Sequence, residues 1–237
     1  MPYFVDIHHH VIYGVDDGAR TEADMQAMLK KAYDDGIRAI VTTPHVTPGV
    51  HRFDWERFDR HFEKAQHFCA SEGMKLQLYR GCEILYTEAT CDFLQEERIP
   101  TLAGTENVLV EFSPDTAFKV IDRAVDAILC SGYTPVIAHM ERYMCLVRKP
   151  GLVKKLKDNY RLKLQVNCGT VINSKGFFLD RFVRNVFENE YVDAIGTDAH
   201  NVSSRPVQMK AAYAQLVKKW GEDYANRLTN GSVLEEG

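Results

Sequence analysis

Nothing in this chain supplies a thiol framework, a membrane anchor or a basic face. Its six cysteines stand singly at Cys69, Cys82, Cys91, Cys130, Cys145 and Cys168. None forms a CxxC pair, so neither a thiolate metal knuckle nor a disulfide scaffold is implied. No stretch approaches the ~20 apolar residues of a membrane span. Met1 to His10 has neither the basic start nor the apolar core of a secretory signal. With unpaired thiols, that points to the cytoplasm and to no membrane insertion. The 33 acidic residues outnumber 29 Lys and Arg, giving a net charge of -4. Non-specific binding to nucleic acid or anionic lipid needs the opposite balance. Several chemistries leave no trace: there is no GxSxG elbow, no GxxxxGK[ST] loop and no GxGxxG. No cysteine is followed six residues later by an arginine, the spacing of a thiol phosphatase loop.

What is present reads as one domain over residues 1–237, with no linker or low-complexity segment. Short β-branched runs alternate with amphipathic stretches. Strands are expected at Tyr3–His8, Ile37–Thr43, Leu76–Ile84, Val108–Phe112, Thr134–Ala138, Leu162–Val166 and Val192–Gly196. Thr21 and Asp24 form a capping-box pattern ahead of Met25, Met28, Leu29, Ala32 and Tyr33, and Gly36 stops that helix. Asp54 is placed to cap a second helix with a stripe of Trp55, Phe58, Phe62 and Ala65. Further helices are expected over Phe118–Ile128, around Leu152–Leu156 and Phe178–Phe187, and near Val207–Lys219 and Glu222–Leu228. About seven strands alternating with helices imply a parallel α/β sheet, either a closed barrel or a doubly wound open sheet.

The polar residues favour the barrel. Nearly every strand ends in a potential metal ligand: His8-His9-His10, His45, Glu83, Glu111, His139, and Asp198 with His200. Asp16 and Asp17 lie in the loop after the first strand. The C-terminal ends of barrel strands converge on one mouth, whereas an open sheet would spread these residues along a crevice. Side chains at i and i+2 of a strand point the same way, so His8 and His10 face together while His9 faces away into packing. Taken singly, each has an ordinary reading: a surface histidine, a salt-bridged Glu83 or Glu111, an N-cap at Asp198. Jointly they do not, because unpaired burial of so many polar groups costs several kcal/mol each. Imidazole with carboxylate suits Zn, Mn or Fe(II). Arg142 and Arg205 follow His139 and His200 closely and are candidates to clamp a phosphate. His61 and His67 read as solvated, and His51 as a surface loop residue.

Asp6-Ile7-His8-His9-His10, Asp16-Asp17-Gly18, Thr43-Pro44-His45, Glu83, Glu111-Phe112-Ser113, His139-Met140-Glu141-Arg142-Tyr143 and Asp198-Ala199-His200-Asn201 resemble, in order and spacing, the PHP (polymerase and histidinol phosphatase) superfamily. Within it the chain is most similar to the bacterial PHP-type protein-tyrosine phosphatases of capsule and exopolysaccharide operons. The resemblance runs from Asp6 to about Leu228. It implies a distorted TIM-like (β/α)7 barrel holding three divalent ions, manganese first, with Fe, Zn or Mg as alternatives. His8, His10, Glu83 and Asp198 would hold one ion. Glu83 would bridge to a second at Glu111 and His139, and Asp17, His45 and His200 would hold a third. The implied substrate is the phosphotyrosine tail of a partner tyrosine kinase, attacked in line by an ion-activated hydroxide. Loop 46–53 departs from the family in offering only His51 and Arg52 as basic residues. The rivals are a histidinol-phosphate phosphatase or other small-molecule phosphoesterase on the same metal core, a nuclease, and a regulatory protein that binds without turnover.

Overall fold

The computed structural model describes residues 3–235. Nine strand segments occupy seven strand positions: β1 (Phe4–His9), β2 (Ile37–Thr42), β3 (His45–Val46), β4 (Gln77–Arg80), β5 (Glu83–Leu85), β6 (Asn107–Glu111), β7 (Thr134–Ile137), β8 (Lys163–Asn167) and β9 (Ala194–Gly196). β2 with β3 is one interrupted strand, and β4 with β5 another. β2 pairs with β4, and β3 with β5. The first break falls at Thr43-Pro44, where proline has no N–H for the ladder. Contact across the breaks persists: Thr43 N donates to His9 O at 3.0 Å and Glu83 N to Pro44 O at 3.0 Å. The second break splits the single strand expected over Leu76–Ile84. It falls at Gly81, where a Cβ would sit 2.8 Å from Val41 Cγ1.

All strand pairings among the described residues are parallel, in the orders β1-β2-β4 and β3-β5-β6-β7-β8-β9. The sheet curls back on itself past β9, where Asp198 N donates to His8 O (2.8 Å) and His10 N to Ala199 O (3.0 Å). The expected distorted (β/α)7 barrel is therefore the observed architecture. Alternate residues of the strands form a small inner cluster of Ile7, Val41, Leu109, Val136, Ala138 and Ala194, closed by Leu102 and Val233. A larger apolar layer lies between the strands and the helices.

The helices follow their sequence signals. Thr21 and Asp24 exchange both capping-box bonds at the start of Glu22–Asp34, and Met25, Met28, Leu29 and Ala32 are buried beneath it. Asp54 accepts from Arg57 N (2.9 Å) to cap Trp55–Ser71, whose Phe58, Phe62, Ala65 and Cys69 are buried. Short helices at Thr90–Gln95, Met144–Arg148 and Cys168–Ile172 have no clear periodicity to announce them.

Candidate metal centre

Strand register brings the ionisable residues together. Parallel pairing sets His45 against Glu83 and Leu85 against Glu111. On β1 the pairing register shifts between Asp6 and His9. Ile7 joins the inner apolar cluster, while the next residue, His8, reaches the polar site. His10 follows it and His9 turns away. His9 is fully buried, with no hydrogen-bond partner on either ring nitrogen, and burial lowers its pKa to about 3. It is the packed core histidine expected. His139 and Asp198, just past β7 and β9, have φ of 30° and 50°. Non-glycine residues held in that region cost about 1–3 kcal/mol and cluster at functional sites. Two glycines are required by close approach: a Cβ on Gly18 would lie 2.2 Å from His10 O, and one on Gly196 2.7 Å from His8 Cβ.

The centre of the cluster is Glu83 Oε2, which lies 3.1 Å from His8 Nε2, 3.3 Å from His10 Nε2 and 3.1 Å from His45 Nδ1. Asp198 Oδ1 is 3.4 Å from each of the same two nitrogens of His8 and His10, and those nitrogens are 3.2 Å apart. His139 Nε2 stands 2.7 Å from Glu83 Oε1 and 3.6 Å from Glu111 Oε2. Asp17 Oδ1 lies 3.3 Å from His45 Nε2 and 3.2 Å from His200 Nε2. All nine residues that the resemblance implies as ligands therefore lie in one cluster. Among the described residues, three groups offer donor atoms within 4.8 Å of one another: His8, His10, Glu83 and Asp198; His10, Asp17, His45 and His200; and His45, Glu83 and Glu111. His45 thus stands beside Glu111 where the resemblance sets His139, and His139 borders the same carboxylates.

The donor chemistry fits divalent cations. Glu83 Oε2, Asp198 Oδ1 and His200 Nε2 are buried with no hydrogen-bond partner among the described residues. Orphaned buried polar atoms are rare and costly, and here all three face other lone-pair atoms. Burial opposes charge throughout, and opposite charges prevail over it at Glu83, Asp198, His8 and His10 but not at His200. Glu83 is held well below the usual carboxylate range by the charge of His8, with His10 beside Oε2 and His139 hydrogen-bonded to Oε1. Asp198 is depressed in the same way by His8 and His10. His8 is pushed up against its burial by Glu83 and Asp198, and His10 well up by Asp16. His200 is lowered to about 4 by burial and by the charge of His10. Protons on such a cluster are what a divalent cation displaces.

Behind the candidate ligands stand supporting residues, of which Asp16 and Glu141 lie in motifs named from the sequence and Gln165 and Asn167 do not. Asp16 Oδ2 is 2.8 Å from His10 Nδ1, and its Oδ1 accepts from Gly18 N (2.9 Å). Gln165 Oε1 accepts from His139 N (2.7 Å) and lies 3.2 Å from His8 Nδ1. Asn167 donates to Asp198 Oδ2 (2.8 Å), and its own N–H donates to buried Glu141 (2.9 Å). Such partners fix ring orientation and ligand basicity. Arg142 and Arg205 both reach the rim, 2.6 and 2.7 Å from Asp198 Oδ2, with side chains 42% and 36% exposed. His61 is not solvated as expected. It is half-buried, stacked on Tyr13 at 3.7 Å with Nδ1 2.7 Å from Tyr13 O, and so ties down the loop that carries Asp16 and Asp17. His51 and His67 are exposed as expected, and all six cysteines are free.

A curled parallel α/β sheet with a His/Asp/Glu cluster and two guanidinium groups at its mouth defines a PHP-like candidate metallohydrolase. Residues 4–233 match the family described as capsular polysaccharide synthesis, CpsB/CapC, and the chain belongs to it. It is 33% identical to the tyrosine-protein phosphatase CpsB of Streptococcus pneumoniae, with 94% of each chain covered. It is 29% identical to the tyrosine-protein phosphatase YwqE of Bacillus subtilis, over 97% of this chain and 90% of that one. A crystal structure from work on YwqE and CpsB, there called metal-dependent tyrosine phosphatases, superposes with a TM-score of 0.85. It is 28% identical over 93% of this chain and 89% of the other. No helix among the described residues is long and apolar enough to cross a membrane.

Proposed function

We propose that this chain is a metal-dependent protein-tyrosine phosphatase, acting in the cytoplasm on the phosphorylated tyrosine tail of a kinase that controls capsular or exopolysaccharide synthesis. The observation that carries this reading is the convergence of His8, His10, Glu83 and Asp198 on orphaned lone pairs, with Arg142 and Arg205 on the far side of the same Asp198. In this reading three divalent ions, manganese first, sit at His8, His10, Glu83 and Asp198, at Glu83, Glu111 and His139, and at Asp17, His45 and His200. The observed donor groups support it with two differences, His45 standing with Glu83 and Glu111 and His10 joining Asp17, His45 and His200. Ions bound there supply Lewis acidity and a water acidic enough to be a nucleophile near neutral pH.

The chain's own residues do the rest. Arg142 and Arg205 present guanidinium N–H groups to the phosphoryl oxygens and offset charge that grows as the bond to the leaving group breaks. Asp198 orients both guanidinium groups. Gln165 and Asp16 hold His8, His139 and His10 in place. Tyrosinate, with a pKa of about 10, leaves with little help from a general acid. The absence of a cysteine from the cluster agrees with a mechanism that forms no phosphocysteine.

The test compares kcat/KM for a phosphotyrosine peptide, a phosphoserine peptide and histidinol phosphate with metal-loaded protein. The phosphotyrosine peptide should be fastest, also outpacing free phosphotyrosine because flanking residues add binding energy. If histidinol phosphate proves the best substrate, the assignment fails.

A further inference from the structure

Two depressions with shared walls begin beside the candidate metal cluster, the first lined by its members and the second continuing away from it. The first, about 450 Å³, is walled by Asp16, Asp17 and His45 on one side and by His51 to Asp54 on the other. The second, about 800 Å³, shares Arg52 and Phe53 with it and runs on over Val50, Trp55, Phe93 and Arg98. A phosphate alone fills a small fraction of this space, since about 300–1,000 Å³ holds a whole drug-sized ligand. The floor is aromatic: Phe53 packs on Trp55 with ring centroids 4.3 Å apart, and the Arg98 guanidinium lies 3.6 Å from the Phe93 ring centroid. Val50, 60% exposed, forms part of the lip.

Of the carboxylate and guanidinium groups lining the two depressions, Arg52 and Glu56 have no oppositely charged partner within 4.0 Å among the described residues, and Glu56 lines only the second. Asp54 caps its helix and pairs with Arg57 (3.5 Å), and Arg98 pairs with Glu96 (3.2 Å). Arg52 stands where the two depressions meet, exposed, with no carboxylate within 4.0 Å among the described residues. An uncommitted cation in the depression that also holds Asp17 and His45, followed by an aromatic floor, complements one kind of chain. We infer that this groove selects the segment flanking the phosphorylated tyrosine, taking an acidic side chain at Arg52 and a bulky apolar side chain over Phe53, Trp55 and Phe93. The inference rests on the phosphatase reading and adds what the enzyme selects.

The experiment uses metal-loaded full-length protein and three phosphotyrosine peptides, with p-nitrophenyl phosphate as a flankless probe. One peptide carries Glu-Leu on both sides of the phosphotyrosine, one Lys-Leu and one Glu-Ser. Wild type should prefer the Glu-Leu peptide over the Lys-Leu peptide by roughly fivefold in kcat/KM, the upper range of a rim charge pair. It should prefer Glu-Leu over Glu-Ser by roughly tenfold, as burying one leucine implies. Arg52→Glu should invert the Glu/Lys preference. Val50→Asp, at an exposed position that folding tolerates, should shrink the Leu/Ser preference. Equal kcat/KM for all three peptides, or an unchanged Glu/Lys preference in Arg52→Glu, overturns the groove inference while leaving the phosphatase reading intact. No metal-dependent turnover of any peptide or of p-nitrophenyl phosphate overturns both.

Discussion

Arg142 and Arg205 approach the same carboxylate oxygen, Oδ2 of Asp198, at 2.6 and 2.7 Å, while Oδ1 of that residue faces His8 and His10 at 3.4 Å each. One buried aspartate therefore links the candidate metal donors to the two guanidinium groups at the rim. Arg142→Ala and Arg205→Ala should each lower kcat/KM on a phosphotyrosine peptide by about 2–4 kcal/mol, roughly 30- to 1,000-fold, while bound metal stays near wild type. Because the two share an anchor, the double variant should lose less than the summed single losses. Asp198→Asn should differ in kind, losing metal as well as turnover. Elemental analysis beside steady-state kinetics separates these outcomes, and an Arg142 variant with normal kinetics removes that residue from the rim.

Gly196→Ala tests how tightly the scaffold presses on the site. The added Cβ would lie 2.7 Å from His8 Cβ and 3.1 Å from Gln165 Nε2. His8 must then shift, so metal affinity should fall at least tenfold with the far-UV circular dichroism retained. Gly151→Ala, where nothing lies within 4 Å, is the control and should leave metal binding unchanged.

Gln165 makes no proposed metal contact, yet it holds His8 Nδ1 and the backbone of His139. Gln165→Ala should weaken metal binding about 10- to 100-fold, the usual cost of losing such a support. Higher metal concentration should restore much of the activity. Restoration distinguishes a supporting residue from one that touches the phosphoryl group.

The pH dependence follows from the histidines. His8 and His10 have pKa values raised above the ordinary 6.5 by Glu83, Asp198 and Asp16. Their contribution to the stability of chelated protein is full below pH 6.5 and is lost as pH rises through the raised values. Glu83 and Asp198 are depressed, so their contribution is constant near neutrality and lost only in acid. The Tm of chelated protein should therefore fall on going from pH 6.5 to 9. Metal binding should release protons and tighten over the same interval, flattening the Tm profile of the loaded protein. Calorimetry in buffers of different ionisation enthalpy counts the protons, and no release at pH 7 contradicts the protonated cluster.

The cluster was legible because ionisable residues at successive strand ends are expensive unless they do something together, while the division into ion sites came from the family resemblance. Alternation on β1 separated His8 and His10 from His9 without any structure. Other features carried no such mark. Asp16 and Asp17 are chemically identical neighbours, and only the turn stabilised by Gly18 decides that Asp16 backs His10 while Asp17 faces His45 and His200. Gln165 and Asn167 are neutral amides on a strand, with nothing in their spacing to show what they support. The single strand expected over Leu76–Ile84 is broken at Gly81, where Val41 of a distant segment leaves no room for a Cβ. His61 looked solvated from its charged helix, because its partner Tyr13 lies across the fold.

The most direct test is to strip the protein of metal, verify the loss by elemental analysis, and measure phosphate release from a phosphotyrosine peptide as manganese is added back. Activity should be absent at first and rise with bound metal until the donor groups around Glu83 are filled. Alkylation of the cysteines should change neither end of that curve. Full activity in protein verified to be metal-free contradicts the account.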